Sequence, residues 1–369
     1  MSTLRNEDTI KRVYDNCGAI LKGLINDEFF NGQLATIKTL EDERKTHKDV
    51  VNNLQYFLNG AQQGNNYRYR QMVHGSKPEQ LENTAFRLWL LGIKKGNHKL
   101  DASIETYIEI MSRDLYAEKE MRNYGIFKIA QMLSLIGYSE MDEINKALRI
   151  RLNQIYAFVS KGSFDIYKSV KEFTGIPSNW KDQTKFVDPE LTKYGGIEGA
   201  PPLPSYYDML GFIGMKGRES FEDDKKIETI VSYCLDIKYQ YGIEPGYGIL
   251  MTPSGRYYSM GWSVHVPCYG QKIIPDDAIS RILLWSYILT SICNDKSKQQ
   301  FSNVIEFLED YRLDNGFYKL PKEFIPNSKS GYFVMGKNLS VGENRRNIEA
   351  LMWESTYWVM RLKKNLGLY

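Results

Sequence analysis

The sequence predicts an all-α protein built from packed pairs of helices, with short irregular or β segments in its loops. Apolar residues recur at helical spacing along most of the 369-residue chain. At four places a strongly apolar helical stretch is followed by an amphipathic one. Glycine and proline are concentrated in two stretches, 174–204 and 242–275. We therefore expect one helical domain over 1–369, with an internal boundary near 175–205.

The first sixty residues predict two helices, at 7–30 and 35–59. Val13, Ile20 and Leu24 follow one another at the spacing that places side chains on a single helix face. The next stretch, 60–77, is polar and predicts a loop.

The four predicted helix pairs occupy 85–111, 126–159, 207–239 and 282–312. In each pair most of the surface of the apolar helix must be buried, and the amphipathic helix buries part of it by packing its apolar face against it from outside. Such hairpins stack into an open solenoid or close into a double ring of helices. Because the pairs are unevenly spaced, the sequence favours the closed ring with long loops.

The second glycine- and proline-rich stretch, 242–275, holds many Tyr, Trp and Ile residues, which is not typical of a flexible linker. We expect it to be folded, with short strands at 249–251 and 257–266. Further along, Ser340 and Glu343 have the spacing of a capping box, in which both side chains satisfy free backbone donors at a helix start. This pattern predicts a C-terminal helix over 341–364.

Composition and charge argue against several classes of partner. Lys and Arg number 48 and Asp and Glu number 45, so the net charge of +3 gives no electrostatic reason to expect a nucleic-acid partner. No apolar run is long enough to span a bilayer, and the first residues lack the apolar segment of a secretory signal. The four cysteines are scattered, which is typical of reduced thiols. We expect a cytoplasmic protein whose oligomeric state is open.

The aromatic content is high, with 26 Tyr, 16 Phe and 6 Trp. Such rings either pack in ordinary cores or line a ligand cavity, because Tyr and Trp combine a large apolar face with one polar group. A small-molecule ligand is therefore one expectation from the composition.

The predicted start of the C-terminal helix is the first candidate site. Arg345 and Arg346 would oppose the positive end of the helix dipole, so they either pair with nearby glutamates or hold an anion in a cleft. Glu354, which has bulky aromatic neighbours, is either the buried partner of an arginine or an acid with a raised pKa. We expect Glu354 to be catalytic, and Glu343, Arg345 and Arg346 to bind substrate.

The second candidate segment contains Tyr257, Tyr258, Trp262 and His265. We expect the three aromatic residues to bind substrate and His265 to act in catalysis, and we expect this segment to meet the first one in a single site. His265 and Cys268 could provide two zinc ligands, but no partner motif is visible. No cofactor is predicted, and a divalent metal remains open without a motif to support it.

The helix pairs and one loop resemble the α/α-toroid superfamily of terpenoid cyclases and protein prenyltransferases, over about residues 80–365. The loop 313–318, Leu-Asp-Asn-Gly-Phe-Tyr, is similar to the Gly-x-aromatic turn that ends repeats in that family, and 246–248 is similar to a degenerate copy. The resemblance implies an α/α toroid with a central aromatic cavity and an enzyme acting on a prenyl or other apolar substrate.

The chain departs from that family at its catalytic motifs. It lacks the Asp-x-Asp-Asp motif of class II cyclases, and the zinc ligands of the prenyltransferases find no match, so no catalytic residue is carried over. Two alternatives stay open: a glycan-active hydrolase or lyase of the six-hairpin type, and a non-catalytic binding or scaffold protein on the same fold.

Overall fold

The structure, a computed structural model, describes residues 6–34, 37–63, 73–112, 122–215, 221–266 and 279–369. Helices dominate these residues, as the sequence predicts: they form fifteen α-helices and one small four-stranded sheet. None of the described helices is long and apolar enough to cross a membrane. The chain divides into two compact units, which consist of Met1–Gly64, His74–Ile104 and Val266–Tyr369, and of Asn65–Val73 and Glu105–His265.

The first unit contains two apolar helices, each packed against another helix. Leu81–Leu90 packs against Lys48–Gln63, and Ile279–Ile292 packs against the C-terminal helix, Ala350–Asn365. The other helices that begin in this unit are Asn6–Asn16, Ala19–Phe29, Ile37–Thr46, His98–Ser112, Asp295–Lys298 and Ser302–Glu309. The prediction of apolar helices near 85–92 and 282–292 is confirmed.

Each of the two long N-terminal helices predicted from the sequence is in fact two shorter helices. The first breaks at Gly18, whose backbone is extended and whose N–H donates to the Glu343 carboxylate at 2.7 Å. A Cβ atom at Gly18 would lie 2.9 Å from that carboxylate, so a larger residue would crowd it. The second breaks between Thr46 and Lys48.

In the second unit, Tyr206–Met215 packs against Arg122–Leu133 and against the π-helical turn Ser134–Tyr138 that follows it. Asp142–Val159 packs against Phe221–Cys234. The predicted amphipathic helix over 220–239 breaks after Cys234, because Asp236 caps a new short helix by accepting the Lys238 N–H at 2.7 Å.

The small sheet also belongs to the second unit. Its strands are β1 (Tyr167–Lys168), β2 (Phe186–Val187), β3 (Tyr247–Met251) and β4 (Tyr257–Gly261), in that spatial order. β2 and β3 are parallel, whereas the outer pairs are antiparallel. The predicted strands near 249–251 and 257–266 are confirmed, although the second ends at Gly261. The stretch 175–205, predicted as a boundary, supplies β2 and lies within this unit. The double ring of helices stays a prediction.

The capping-box prediction is wrong. The C-terminal helix begins at Ala350, nine residues after the predicted start, and residues 340–349 are irregular. Ser340 and Glu343 instead use their side chains in tertiary contacts, with Glu354 and Gly18 respectively. Gly342 lies between them at a φ of +91°, a conformation that turns the chain away from a helix.

Candidate functional site

The candidate residues fall in both compact units. Glu343, Arg345, Arg346 and Glu354 belong to the first unit, and Tyr257, Tyr258, Trp262 and His265 to the second. The expectation that the two groups meet in one site stays a prediction.

The Glu354 carboxylate lies at the centre of the first group and is fully buried. Its Oε1 atom accepts hydrogen bonds from the Ser340 hydroxyl at 2.8 Å, the Val341 N–H at 2.8 Å and the Glu343 N–H at 3.3 Å. Its Oε2 atom forms an ion pair with Nη2 of Arg345. Burial raises the pKa of Glu354, and the Arg345 charge and these hydrogen bonds oppose the rise. Glu354 is thus the buried partner of an arginine, and its predicted role in catalysis stays a prediction.

The Arg345 guanidinium uses one of its three nitrogens in its contacts with the described residues. Its Nη2 atom also donates to the Ile325 carbonyl at 3.0 Å, so this one nitrogen makes both contacts of the group. Nε is buried without an acceptor in the described part of the chain. None of the contacts made by the described residues involves Nη1. Glu354 and Ile325 therefore fix the position of the guanidinium, and Nη1 can still donate to an added acceptor.

Arg345 lines a cleft of about 690 Å³ in the first unit. The apolar part of the lining consists of Ile325, Pro326, Ile348 and Leu351. The polar part consists of Lys322, Glu323, Asn327, Ser328, Arg345 and Asn347. Ile348 is 86% exposed, so the cleft offers apolar surface that the protein itself does not cover.

Backbone hydrogen bonds hold one wall of the cleft in place. The Pro326 carbonyl accepts the Leu339 N–H at 2.8 Å, and the Ser328 N–H donates to the Lys337 carbonyl at 3.1 Å. The Asn338 side chain donates to the Ser328 carbonyl at 2.9 Å. The wall is therefore formed before any ligand arrives.

Arg87 supports the same region from the apolar helix Leu81–Leu90, and sequence reasoning missed it. This buried arginine donates from Nη1 to the Ser340 carbonyl at 2.7 Å, and its Nη2 lies 3.7 Å from an Asp49 carboxylate oxygen. Burial lowers the pKa of Arg87 to about 10. A charged residue inside the apolar run 85–92 was the signal that could have revealed a buried polar network.

Glu343 and Arg346 occupy contrasting positions. The Glu343 carboxylate is buried, and burial, together with the nearby Glu354, raises its pKa to about 7, although the Gly18 N–H opposes the rise. Arg346 is exposed and precedes the helix. The expectation that Arg345 and Arg346 lie at the start of the C-terminal helix is therefore wrong.

Aromatic clusters are present, and in the first unit they pack closely around an arginine. The Arg361 guanidinium lies 3.8 Å from the ring centre of Tyr287 and 5.0 Å from those of Tyr357 and Trp358. Its Nη2 atom also lies 2.7 Å from the Glu28 carboxylate. Tyr357 and Trp358 are fully buried, so these rings act as core. A central aromatic cavity stays a prediction.

In the second unit, His265 has defined partners on both ring nitrogens. Nδ1 lies 2.7 Å from the Ser263 hydroxyl oxygen and Nε2 lies 3.0 Å from the Ile243 carbonyl. The imidazole stacks on the Tyr239 ring at 5.1 Å. Burial lowers the pKa of His265, and the hydrogen bond to Ile243 opposes the change.

The three aromatic candidates of this unit have separate neighbours. The Tyr257 hydroxyl donates to the Thr174 carbonyl at 2.6 Å, and Trp262 stacks on Tyr124 at 4.7 Å. Tyr258 lies on β4, opposite Leu250. Tyr257 and Tyr258 therefore both pair with β3, whereas Trp262 stacks on a residue of the helix Arg122–Leu133.

A metal centre finds no support in the described ranges, where no three His, Cys, Asp or Glu side chains are grouped to hold an ion. Cys268, the second zinc ligand considered above, lies outside those ranges. Comparison with known proteins adds no relative: the sequence matches no protein-family model, no curated protein and no solved structure.

Proposed function

We propose that the protein binds a small molecule with a carboxylate head and a short aliphatic body in the cleft beside Arg345. One observation carries the proposal: Glu354 and Ile325 hold the guanidinium at the cleft wall through Nη2, and Nη1 makes no hydrogen bond or ion pair with any described residue. Nη1 can therefore donate a charge-assisted hydrogen bond to a carboxylate in the cleft.

The lining supports both parts of such a ligand. Lys322 adds a second cation beside Arg345, although the Glu323 carboxylate also lines the cleft. Glu354 already pairs with Arg345, so an anionic group is recognised by the placed donors and not by an excess of charge. Ile325, Ile348 and the other apolar residues provide a wall for an aliphatic body. The volume of about 690 Å³ is within the range of small-molecule sites, which is roughly 300–1,000 Å³.

Binding is favoured over catalysis because Glu354 is committed to structural contacts. One of its oxygens accepts three hydrogen bonds, the other pairs with Arg345, and the side chain is fully buried. A general acid or base must reach a substrate proton, and this carboxylate does not reach solvent. For this cleft the proposal therefore takes the binding alternative, rather than an enzyme site acting on a prenyl substrate or a glycan.

Ligand-detected NMR tests the proposal with hexanoate, octanoate and geranoate as probes and with their methyl esters as neutral controls. The acids should bind and the esters should bind at least tenfold more weakly, since the ester lacks the charge that Arg345 recognises. Arg345→Lys keeps a cation for Glu354 but loses the Nη1 donor, and should weaken octanoate binding about tenfold, or about 1.4 kcal/mol.

Arg346→Lys is the matched control, because Arg346 is the exposed neighbour of Arg345. It should leave the affinity for octanoate unchanged. Equal affinity for acids and esters, or an equal loss of octanoate affinity in the two variants, would show that Arg345 does not recognise a carboxylate. Absence of binding by all three acids would remove the proposal.

A further inference from the structure

Four groups of the second unit form a continuous chain of hydrogen bonds at the end of the small sheet. The Gly246 N–H lies 2.6 Å from the Ser263 hydroxyl oxygen. That oxygen lies 2.7 Å from Nδ1 of His265, and Nε2 of His265 lies 3.0 Å from the Ile243 carbonyl oxygen.

The chemistry of the two ends fixes the direction of every proton in this chain. The Ile243 carbonyl can only accept, so Nε2 of His265 carries a hydrogen. The Gly246 N–H can only donate, so the Ser263 oxygen accepts from it. In the neutral imidazole Nδ1 then has a lone pair, and the Ser263 O–H must donate to it. Burial lowers the pKa of His265, which favours this neutral form at physiological pH.

We propose that Ser263 is a nucleophile for acyl transfer and that His265 is its general base. A serine hydroxyl becomes nucleophilic when an adjacent base takes its proton and a third group orients that base. Here Nδ1 of His265 is the base and the Ile243 carbonyl is the orienting group. The Gly246 N–H donates to the Ser263 oxygen and fixes its position beside Nδ1.

The reaction balances with an ester as substrate. The Ser263 oxygen bonds to the ester carbonyl carbon while its proton passes to Nδ1 of His265. The bond to the leaving alcohol breaks, and the alcohol oxygen takes that proton from Nδ1. Water then attacks the acyl-serine by the same route, releasing a carboxylic acid and restoring the serine. During each step the Tyr239 ring faces the charged imidazolium, which such a face stabilises.

The local backbone positions these groups. Ser263 and His265 are two residues apart just after β4, and side chains at this spacing share one side of an extended chain. Gly246 has a φ of +88°, and a Cβ atom there would lie 2.8 Å from the Met260 carbonyl oxygen. A glycine is therefore required for its N–H to approach Ser263. Both Ser263 and His265 are only half-buried, which suits an ester with a small acyl group.

A serine-reactive fluorophosphonate probe, followed by peptide mapping, tests the proposal on the full chain. The wild-type protein should acquire one adduct on Ser263 and should hydrolyse p-nitrophenyl acetate. Both signals should disappear in Ser263→Ala. The control Ser259→Ala alters an exposed serine of β4 and should label at the wild-type rate.

His265→Gln separates catalysis from structure, because a glutamine amide can still donate to the Ile243 carbonyl but supplies no base. Labelling should slow at least a hundredfold, a typical general-base contribution, while the near-ultraviolet circular dichroism stays native. If the folded wild type gives no Ser263 adduct, or if folded His265→Gln labels at the wild-type rate, the chain of hydrogen bonds only ties the end of β4 to the turn before β3. Either result leaves the carboxylate cleft of the first unit untouched.

Discussion

Arg151 and Asp208 form a bidentate ion pair that is closed off from solvent. Nε of the arginine lies 2.9 Å from Oδ1 of the aspartate, and Nη2 lies 3.0 Å from Oδ2. The same guanidinium donates to the carbonyls of Pro201 and Leu203, at 2.6 and 2.9 Å, and Oδ2 accepts the Ser205 hydroxyl at 2.6 Å. The pair therefore fastens the irregular stretch before Tyr206–Met215 to the helix Asp142–Val159.

Replacing Asp208 by Asn should destabilise the protein by about 3–5 kcal/mol, because it leaves a buried guanidinium without a counter-charge. Urea denaturation followed by circular dichroism measures the loss. Glu222→Gln is the matched control in the same unit. The Glu222 carboxylate lies 2.9 Å from the Lys226 ammonium, but the Glu222 side chain is 77% exposed. We therefore expect the free energy of unfolding to change by less than about 1 kcal/mol. Similar losses in both variants would contradict a special role for the buried pair.

Gly214 marks the closest approach of two elements in the second unit. A Cβ atom there would lie 2.1 Å from the backbone oxygen of Ser134, which cannot move without shifting the π-helical turn Ser134–Tyr138. The Ser139 hydroxyl donates to the Gly214 carbonyl at 3.0 Å and holds the same contact. Gly214→Ala should therefore cost about 2 kcal/mol or more through overpacking.

Gly242→Ala provides the control for that substitution. Gly242 is also helical, but a Cβ atom added there has no heavy atom within 4 Å. Alanine should leave stability unchanged or raise it by up to about 1 kcal/mol, because glycine is a poor helix former. Thermal denaturation of both variants tests this expectation. A Gly214→Ala protein with the melting temperature of the wild type would show that the two elements can move apart without loss of stability.

The sequence predicts the apolar helices well, since their signal is local. Residues 85–92, 126–137 and 282–292 are mostly apolar, and helices cover most of each stretch. The helix break at Gly18 and the irregular stretch 340–349 could not be predicted, because the residues that cause them are far apart in the sequence. Glu343 is 325 positions from Gly18, yet its carboxylate accepts the N–H that an uninterrupted helix would have used. A capping-box pattern carries no information about such a partner.

Of the residues predicted for a site, Arg345 lines the cleft, whereas Glu343, Arg346 and Glu354 are not among its lining residues. An arginine partner for Glu354 was one of the two interpretations that the sequence offered, and the structure identifies Arg345. The cleft itself depends on Ile325 and its irregular neighbours, which show no periodic pattern. Their position follows from backbone bonds such as that between Pro326 and Leu339, which a sequence does not reveal.

The buried carboxylate of Glu343 should make stability depend on pH near neutrality. Its pKa is raised to about 7 in the folded chain, against an ordinary value of 4.5. The folded state therefore binds this proton more readily than the unfolded state does. The resulting contribution to stability is fully present below about pH 4.5 and is lost as the pH rises through 7.

Glu343→Gln removes that titration while its amide oxygen can still accept the Gly18 N–H. Between pH 5 and pH 8 the free energy of unfolding of the variant should rise relative to that of the wild type. The difference should reach up to about 3 kcal/mol for a pKa shift of this size. Guanidinium denaturation at several pH values measures the difference. Glu349→Gln removes a charge from an exposed position of the same segment and should follow the wild-type profile. If wild type and Glu343→Gln lose stability in parallel from pH 5 to pH 8, Glu343 is ionised throughout, and the Gly18 N–H and the nearby Arg345 charge outweigh its burial.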